Sequence, residues 1–298
     1  MPEQILCIVP LILCAMPSQR WLTLACLPLS CLVGFNFSLL SSRAIAAAPV
    51  TLAQTPGIDF SRHFRESGIE GSILIENLAG DQVFQHDPQR NTTAFPVAST
   101  FKILNSLIAL ETGVINDELT LLTWDGVERE FPTWNRDLNL KEAFRVSGVW
   151  FYQVLARRVG YERMKQWVEQ ADYGNQRVGD AADLDTFWLT GILQSTPQFQ
   201  IQFLRRLYNQ DLPFSERTMN IVKEIMIAEQ TPDYTIRAKT GWFGFGQDEV
   251  PNIGWYIGYI ETSSDVYFFA TNITIRQAQD GAARLKITRR CLQDLGLL

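Results

Sequence analysis

Between Gly71 and His86 the apolar positions predict two short strands around a turn. Gly71–Leu78 (GSILIENL) is a compact apolar run, Ala79-Gly80-Asp81 supplies turn residues, and Gln82–His86 completes a hairpin. The period then lengthens. Phe101, Leu104, Leu107, Ile108 and Leu110 recur at three- and four-residue steps until Gly113, which predicts a helix over 100–112. Similar spacing predicts helices over 140–159, 161–171, 198–209 and 215–229. Beyond Thr231 the period changes. Tyr234–Lys239, Asn252–Glu261 and Asp265–Ile275 are rich in β-branched and aromatic residues and predict strands, and a helix over 281–295 closes the chain.

Strands, a helical block, strands and a last helix predict an α+β fold. An antiparallel sheet (about 57–95 and 232–298) is flanked by helices, with an inserted, mostly helical layer over about 96–231. The junction of the two layers is a natural place for a cleft. Before this body, Trp21–Leu40 carries no charge and is long enough to cross a bilayer. Arg20 precedes it and Ala44-Ile-Ala-Ala-Ala48 follows, so residues 1–48 read as a secretory signal cleaved after Ala46 or Ala48, with Met16 a candidate start. An uncleaved anchor is the competing reading, and only then would the protein meet a membrane. Either way the 49–298 body is exported, with the periplasm as its expected location.

Composition narrows the chemistry. The 298 residues carry a net charge of −6 without basic runs, which argues against nucleic acid as a partner; no pattern specifies an oligomeric state. Of five cysteines only Cys291 lies beyond Cys31, so the body has no disulfide framework. The two histidines, His63 and His86, are too few for a zinc site and sit in no recognisable triad motif, so no metal is expected.

Scarce histidine turns attention to lysine. Ser99 begins the helical pattern, and Lys102, three residues on, shares its face one turn above. A hydroxyl beside an amine that burial could keep neutral is a nucleophile with a base attached, although chance supplies about 0.3 such pairs in a chain of this make-up. Lys239-Thr240-Gly241 ends a strand and is rarer, with about 0.03 expected; Arg237 shares its face with Lys239. Ser147-Gly148-Val149 interrupts a helical run, where Ser and Gly permit a break that projects a hydroxyl. Tyr173-Gly174-Asn175 reads as a helix C-terminal turn, and Phe187-Trp188-Leu189 as core.

In order, Ser-Thr-Phe-Lys, Ser-Gly-Val, Tyr-Gly-Asn, Phe-Trp-Leu and Lys-Thr-Gly resemble the class D, oxacillinase-type serine β-lactamases, from about residue 60 to the C-terminus. The resemblance implies a Ser99 acyl-enzyme that hydrolyses small-molecule β-lactams, penicillins and potentially cephalosporins. It implies that Lys102 is N-carboxylated by CO2 or bicarbonate and serves as general base in both half-reactions, with no other cofactor. Ser147 then passes a proton to the leaving nitrogen, and Lys239, Thr240 and Gly241 face substrate. The backbone N–H groups of Ser99 and Trp242 form an oxyanion hole, and Val149 and Trp188 line the carbamate pocket. Arg284 is the best match to the arginine that binds the substrate carboxylate, with Arg276 and Arg237 as alternatives.

Lysine chemistry accommodates this. Holding an ordinary lysine neutral at pH 7 costs about 4.6 kcal/mol, within the range of full burial. Two other readings share the motifs: a β-lactam-sensing receptor domain and a D-Ala-D-Ala peptidase or penicillin-binding protein. The chain lacks the His-Glu-x-x-His of a sensor protease, and Val149 is apolar where sensors tend to be polar.

Overall fold

The computed structural model describes residues 57–246 and 252–298. Residues 1–48, read as a signal, lie outside the described residues.

Six strands form one antiparallel sheet: β1 (Gly71–Asn77), β2 (Val83–His86), β3 (Ile227–Gln230), β4 (Tyr234–Phe243), β5 (Asn252–Thr262) and β6 (Val266–Ile275), in the order β2-β1-β6-β5-β4-β3. The long hairpins pair Trp242 with Gly254 and Phe269 with Gly258. Side-chain alternation along these strands feeds two cores. On one face Trp255, Ile257, Tyr259, Phe268 and Ala270 meet the helical layer. On the other, Phe269, Ile273 and Ile275 pack against α1 (Ser61–Ser67) and the C-terminal helix through Phe64, Ile287 and Leu292. The predicted α+β arrangement is the observed one.

The helical layer holds α2 (Lys102–Glu111), α3 (Leu140–Arg145), α4 (Val149–Val159), α5 (Tyr161–Gln170), α6 (Pro197–Tyr208) and α7 (Glu216–Ile225), and α8 (Ala283–Asp294) ends the chain. Several boundaries differ from the sequence pattern for identifiable reasons. The run over 140–159 divides into α3 and α4, because Ser147 takes a left-handed φ of 57° and Gly148 N–H turns back to Ala143 O at 2.8 Å. The run over 215–229 stops at Ile225. Ile227–Gln230 instead pairs with the outer edge of β4, a tertiary contact that overrides the good helix propensity of Ala-Glu-Gln. The strand expected to end at Lys239 continues to Phe243 because β5 pairs with it throughout. The helix expected from residue 100 starts as a tight turn of 3-10 helix at Ala98–Phe101 before becoming α2.

Since β3 pairs with β4 only up to Arg237, the stretch of β4 beyond residue 238 faces the helical layer with its edge uncovered. The nucleophile candidate lies beside that edge.

Candidate active site

Ser99 stands in the short turn that leads into α2. The residue before it, Ala98, is fully buried with φ of 47°, a conformation that costs a non-glycine residue energy and that clusters at functional sites. β4 comes close enough to this turn to need a glycine: a Cβ on Gly241 would lie 3.2 Å from Val97 O. The i to i+3 geometry places Lys102 Nζ 2.7 Å from Ser99 Oγ.

Lys102 is wholly buried. Its burial, followed by the charge of Lys239, pushes its pKa well below the usual lysine range, and no carboxylate among the described residues pairs with it. The ammonium position lies 5.4 Å from the centre of the Tyr152 ring. Ser106 Oγ donates to Lys102 O at 2.7 Å and lies 2.9 Å from Tyr152 Oη. Ser106 spends its proton on the carbonyl, so the Tyr152 hydroxyl is the donor of that second bond.

A second Ser–Lys pair faces the first. The left-handed backbone at Ser147 projects its hydroxyl out of the α3–α4 break, where it accepts from Lys239 Nζ at 3.1 Å. Lys239 also donates to Thr240 O at 3.0 Å and stands over the Phe144 ring. Burial, with a smaller push from Arg284, lowers its pKa from 10.5 to about 7. That displacement corresponds to roughly 5 kcal/mol. Below about pH 7 both the folded and the unfolded lysine carry the proton, and the whole penalty applies. Between about 7 and 10.5 only the unfolded lysine keeps it, so stability rises with pH across that window. Lys239→Met should therefore gain about 2 kcal/mol at pH 6.5 and flatten the rise. Denaturant titrations at pH 6.5 and 10 read both effects, and an unchanged slope would contradict the assignment.

Trp188 lies flat against Phe101 at 5.4 Å and edge-on to Phe187 at 5.1 Å, fully buried. Among the described residues its indole N–H has no hydrogen-bond partner, an unusual state for a buried donor. The Tyr-Gly-Asn segment holds this loop in place. Asn175 accepts from Gln194 N and donates to Ile192 O, and a Cβ on Gly174 would lie 2.3 Å from Gln194 O. Tyr173 is core, its hydroxyl on Gln200 and its pKa pushed up to about 12 by burial.

A cavity of about 540 Å³ opens above the two serines. Ser99, Ser147, Val149, Thr240, Gly241 and Trp242 border it, whereas Lys102, Lys239 and Trp188 lie outside its lining. Of the three arginine candidates only Arg284 borders the cavity, standing over the Trp242 ring at 5.6 Å with its pKa lowered to about 10 by burial. Arg237 is occupied by Glu261 and Glu224, and Arg276 by Glu70. The cavity mouth carries residues that sequence reasoning did not single out. Phe131 lies against Trp134 at 4.7 Å and Phe245 at 5.3 Å, and Phe245 meets Trp242 at 4.9 Å. Tyr152 was also missed, since its place in α4 reads as ordinary core. Among the described residues no three His, Cys, Asp or Glu side chains converge as a metal site.

The arrangement suits acyl transfer: a part-exposed hydroxyl with a buried nitrogen base, a second hydroxyl on a lysine near neutrality, and a cationic end at Arg284 for an anionic group. Residues 71–293 match the family model described as the penicillin binding protein transpeptidase domain. The chain is 41% identical over 234 residues to the β-lactamase OXA-48 of Klebsiella pneumoniae, covering 78% of this chain and 86% of that one. It is 38% identical to the probable β-lactamase YbxI of Bacillus subtilis, covering 77% and 82%. Among solved structures, the class D β-lactamase YbXI from Nostoc shares 53% identity with a TM-score of 0.78, over 81% of this chain and all of that one. FUS-1 (OXA-85) of Fusobacterium nucleatum shares 33% with a TM-score of 0.76, over 80% and 98%.

Proposed function

This chain belongs to the class D serine β-lactamases, and from that premise we propose how its own residues divide the hydrolysis of penicillins and cephalosporins. Ser99 Oγ attacks the lactam carbonyl, whose oxygen sits between the backbone N–H groups of Ser99 and Trp242. The C–N bond opens, and Ser147 delivers a proton to the departing nitrogen. Lys239, with a pKa of about 7, replenishes that proton through the 3.1 Å contact. Arg284 and Thr240 hold the substrate carboxylate at the cationic end of the cavity. Water then cleaves the Ser99 ester and releases the product.

Lys102 is the base in both half-reactions. The observation that carries this reading is its complete burial 2.7 Å from Ser99 Oγ, without a counter-ion. Burial disfavours the ammonium form of a lysine so placed and opens its amine to CO2; the carboxylate formed on Nζ supplies an oxygen base that the bare amine lacks. The surroundings fit such a group. The partnerless Trp188 indole N–H, stacked on the residue next to Lys102, is a buried donor without an acceptor. Val149 borders the cavity as an apolar wall.

Turnover of a chromogenic cephalosporin by the purified protein, with and without bicarbonate, tests the proposal. Sustained, bicarbonate-stimulated hydrolysis is expected. Trp188→Phe should raise the bicarbonate needed for half-maximal rate by about 10- to 100-fold, the worth of one hydrogen bond to a charged group. A single stoichiometric burst would point instead to a β-lactam sensor or a penicillin-binding protein.

Residues 1–48 are proposed to direct export to the periplasm, on the strength of the uncharged Trp21–Leu40 stretch and the alanines that follow it. The mass of the mature chain reads this directly: loss of the first 46 or 48 residues is expected, and an intact N-terminus would favour an anchor.

A further inference from the structure

A second cavity, of about 720 Å³, opens on the far side of Thr240. Thr240 borders both cavities, whereas Trp242 borders only the first and Ala238 and Lys239 only the second. Moving back along β4 from residue 242 to 238 therefore passes from one cavity into the other. The second is walled by Phe144, Met226 and Leu285, and α3 places Lys141 and Arg145 on it. Both of these side chains are exposed, and neither makes a hydrogen bond or ion pair with any described residue. Like charges four residues apart weaken a helix, so this pair brings a small cost and no local return. The carboxylates on the same cavity are already engaged. Glu142 accepts from Arg136 at 2.9 Å, with Arg145 adding only a through-space pull, and Glu224 pairs with Arg237 at 3.1 Å. The uncommitted charge facing this groove is therefore positive.

We propose that this second cavity receives the substituent that a cephalosporin carries on the ring carbon next to its carboxylate-bearing carbon, and that Lys141 and Arg145 favour anionic substituents there. The inference rests on the β-lactam reading above. With the lactam carbonyl at Ser99 and Trp242 and the ring carboxylate toward Arg284 and Thr240, that substituent leaves the first cavity past Thr240. Phe144, Met226 and Leu285 then meet its apolar stem, and the two cations meet its charged end.

Two cephalosporins with non-departing substituents of equal length, one ending in a carboxylate and one in a carboxamide, provide the test. Wild-type protein should show the lower KM for the carboxylate, an advantage that high salt removes. The Lys141→Ala/Arg145→Ala double variant should raise KM for the carboxylate about fivefold with kcat held, as expected for two exposed ion pairs, and shift the carboxamide less than twofold. Arg145→Glu should reverse the order of the two. Equal shifts for both compounds, or none, would overturn the proposal while leaving hydrolysis intact. Failure of the wild-type protein to turn over either compound while it hydrolyses a penicillin would overturn this inference alone, and failure with the penicillin as well would overturn the hydrolase reading.

Discussion

Replacing Lys102 with methionine should lower kcat by about 10³- to 10⁴-fold and leave a long-lived acyl-enzyme. Methionine nearly preserves the volume of a side chain that is completely buried, so the loss would report chemistry and not a collapsed core. Nothing else stands ready to replace the base, because the other lysine of the site is committed to Ser147 and Thr240. Acylation should slow while deacylation all but stops, so intact-protein mass spectrometry should find the penicilloyl adduct minutes after mixing. Bicarbonate should no longer stimulate the variant. Turnover within tenfold of wild type would remove Lys102 from the mechanism.

Ser99→Ala has the larger effect, and its signature is different. Loss of the nucleophile should cost on the order of 10⁶ in kcat, the scale seen when another serine hydrolase loses its own. No adduct should form at any time. Thermal stability should move by only a few degrees, because Ser99 is part-exposed at the cavity and its side chain is small. The pair of variants thus separates two steps: one traps the ester and the other never makes it. An adduct on Ser99→Ala would move the nucleophile elsewhere, and among the described residues Ser147 is the only other serine bordering the cavity.

Much of this was legible from the residues alone. The three long strands announced themselves through β-branched and aromatic residues, and the pairing of Ser99 with Lys102 followed from helical spacing, since three residues along a helix turn is a fixed local geometry. Ser147-Gly148 foretold a break in a helical run, and the break exists. Ile227–Gln230 is locally helical in sequence, yet it forms a strand because it pairs with Thr235–Arg237 of β4. Trp188 read as core and is core, but its partnerless N–H is a property of its surroundings that no tripeptide encodes.

The arginine illustrates the limit best. Arg237, Arg276 and Arg284 are indistinguishable as guanidinium groups in a sequence. Tertiary packing gave the first two to glutamates and left the third bordering the cavity. The sequence by itself determined what depends on neighbours along the chain: the α+β order of elements, the helical step from Ser99 to Lys102, and the family its motifs resemble. Only the tertiary structure decided what depends on residues far apart in the chain. It brought Lys239 to Ser147 and buried both lysines deeply enough to lower their pKa values. Periodicity is a short-range property of the backbone, whereas desolvation and charge pairing depend on every element that closes around a side chain.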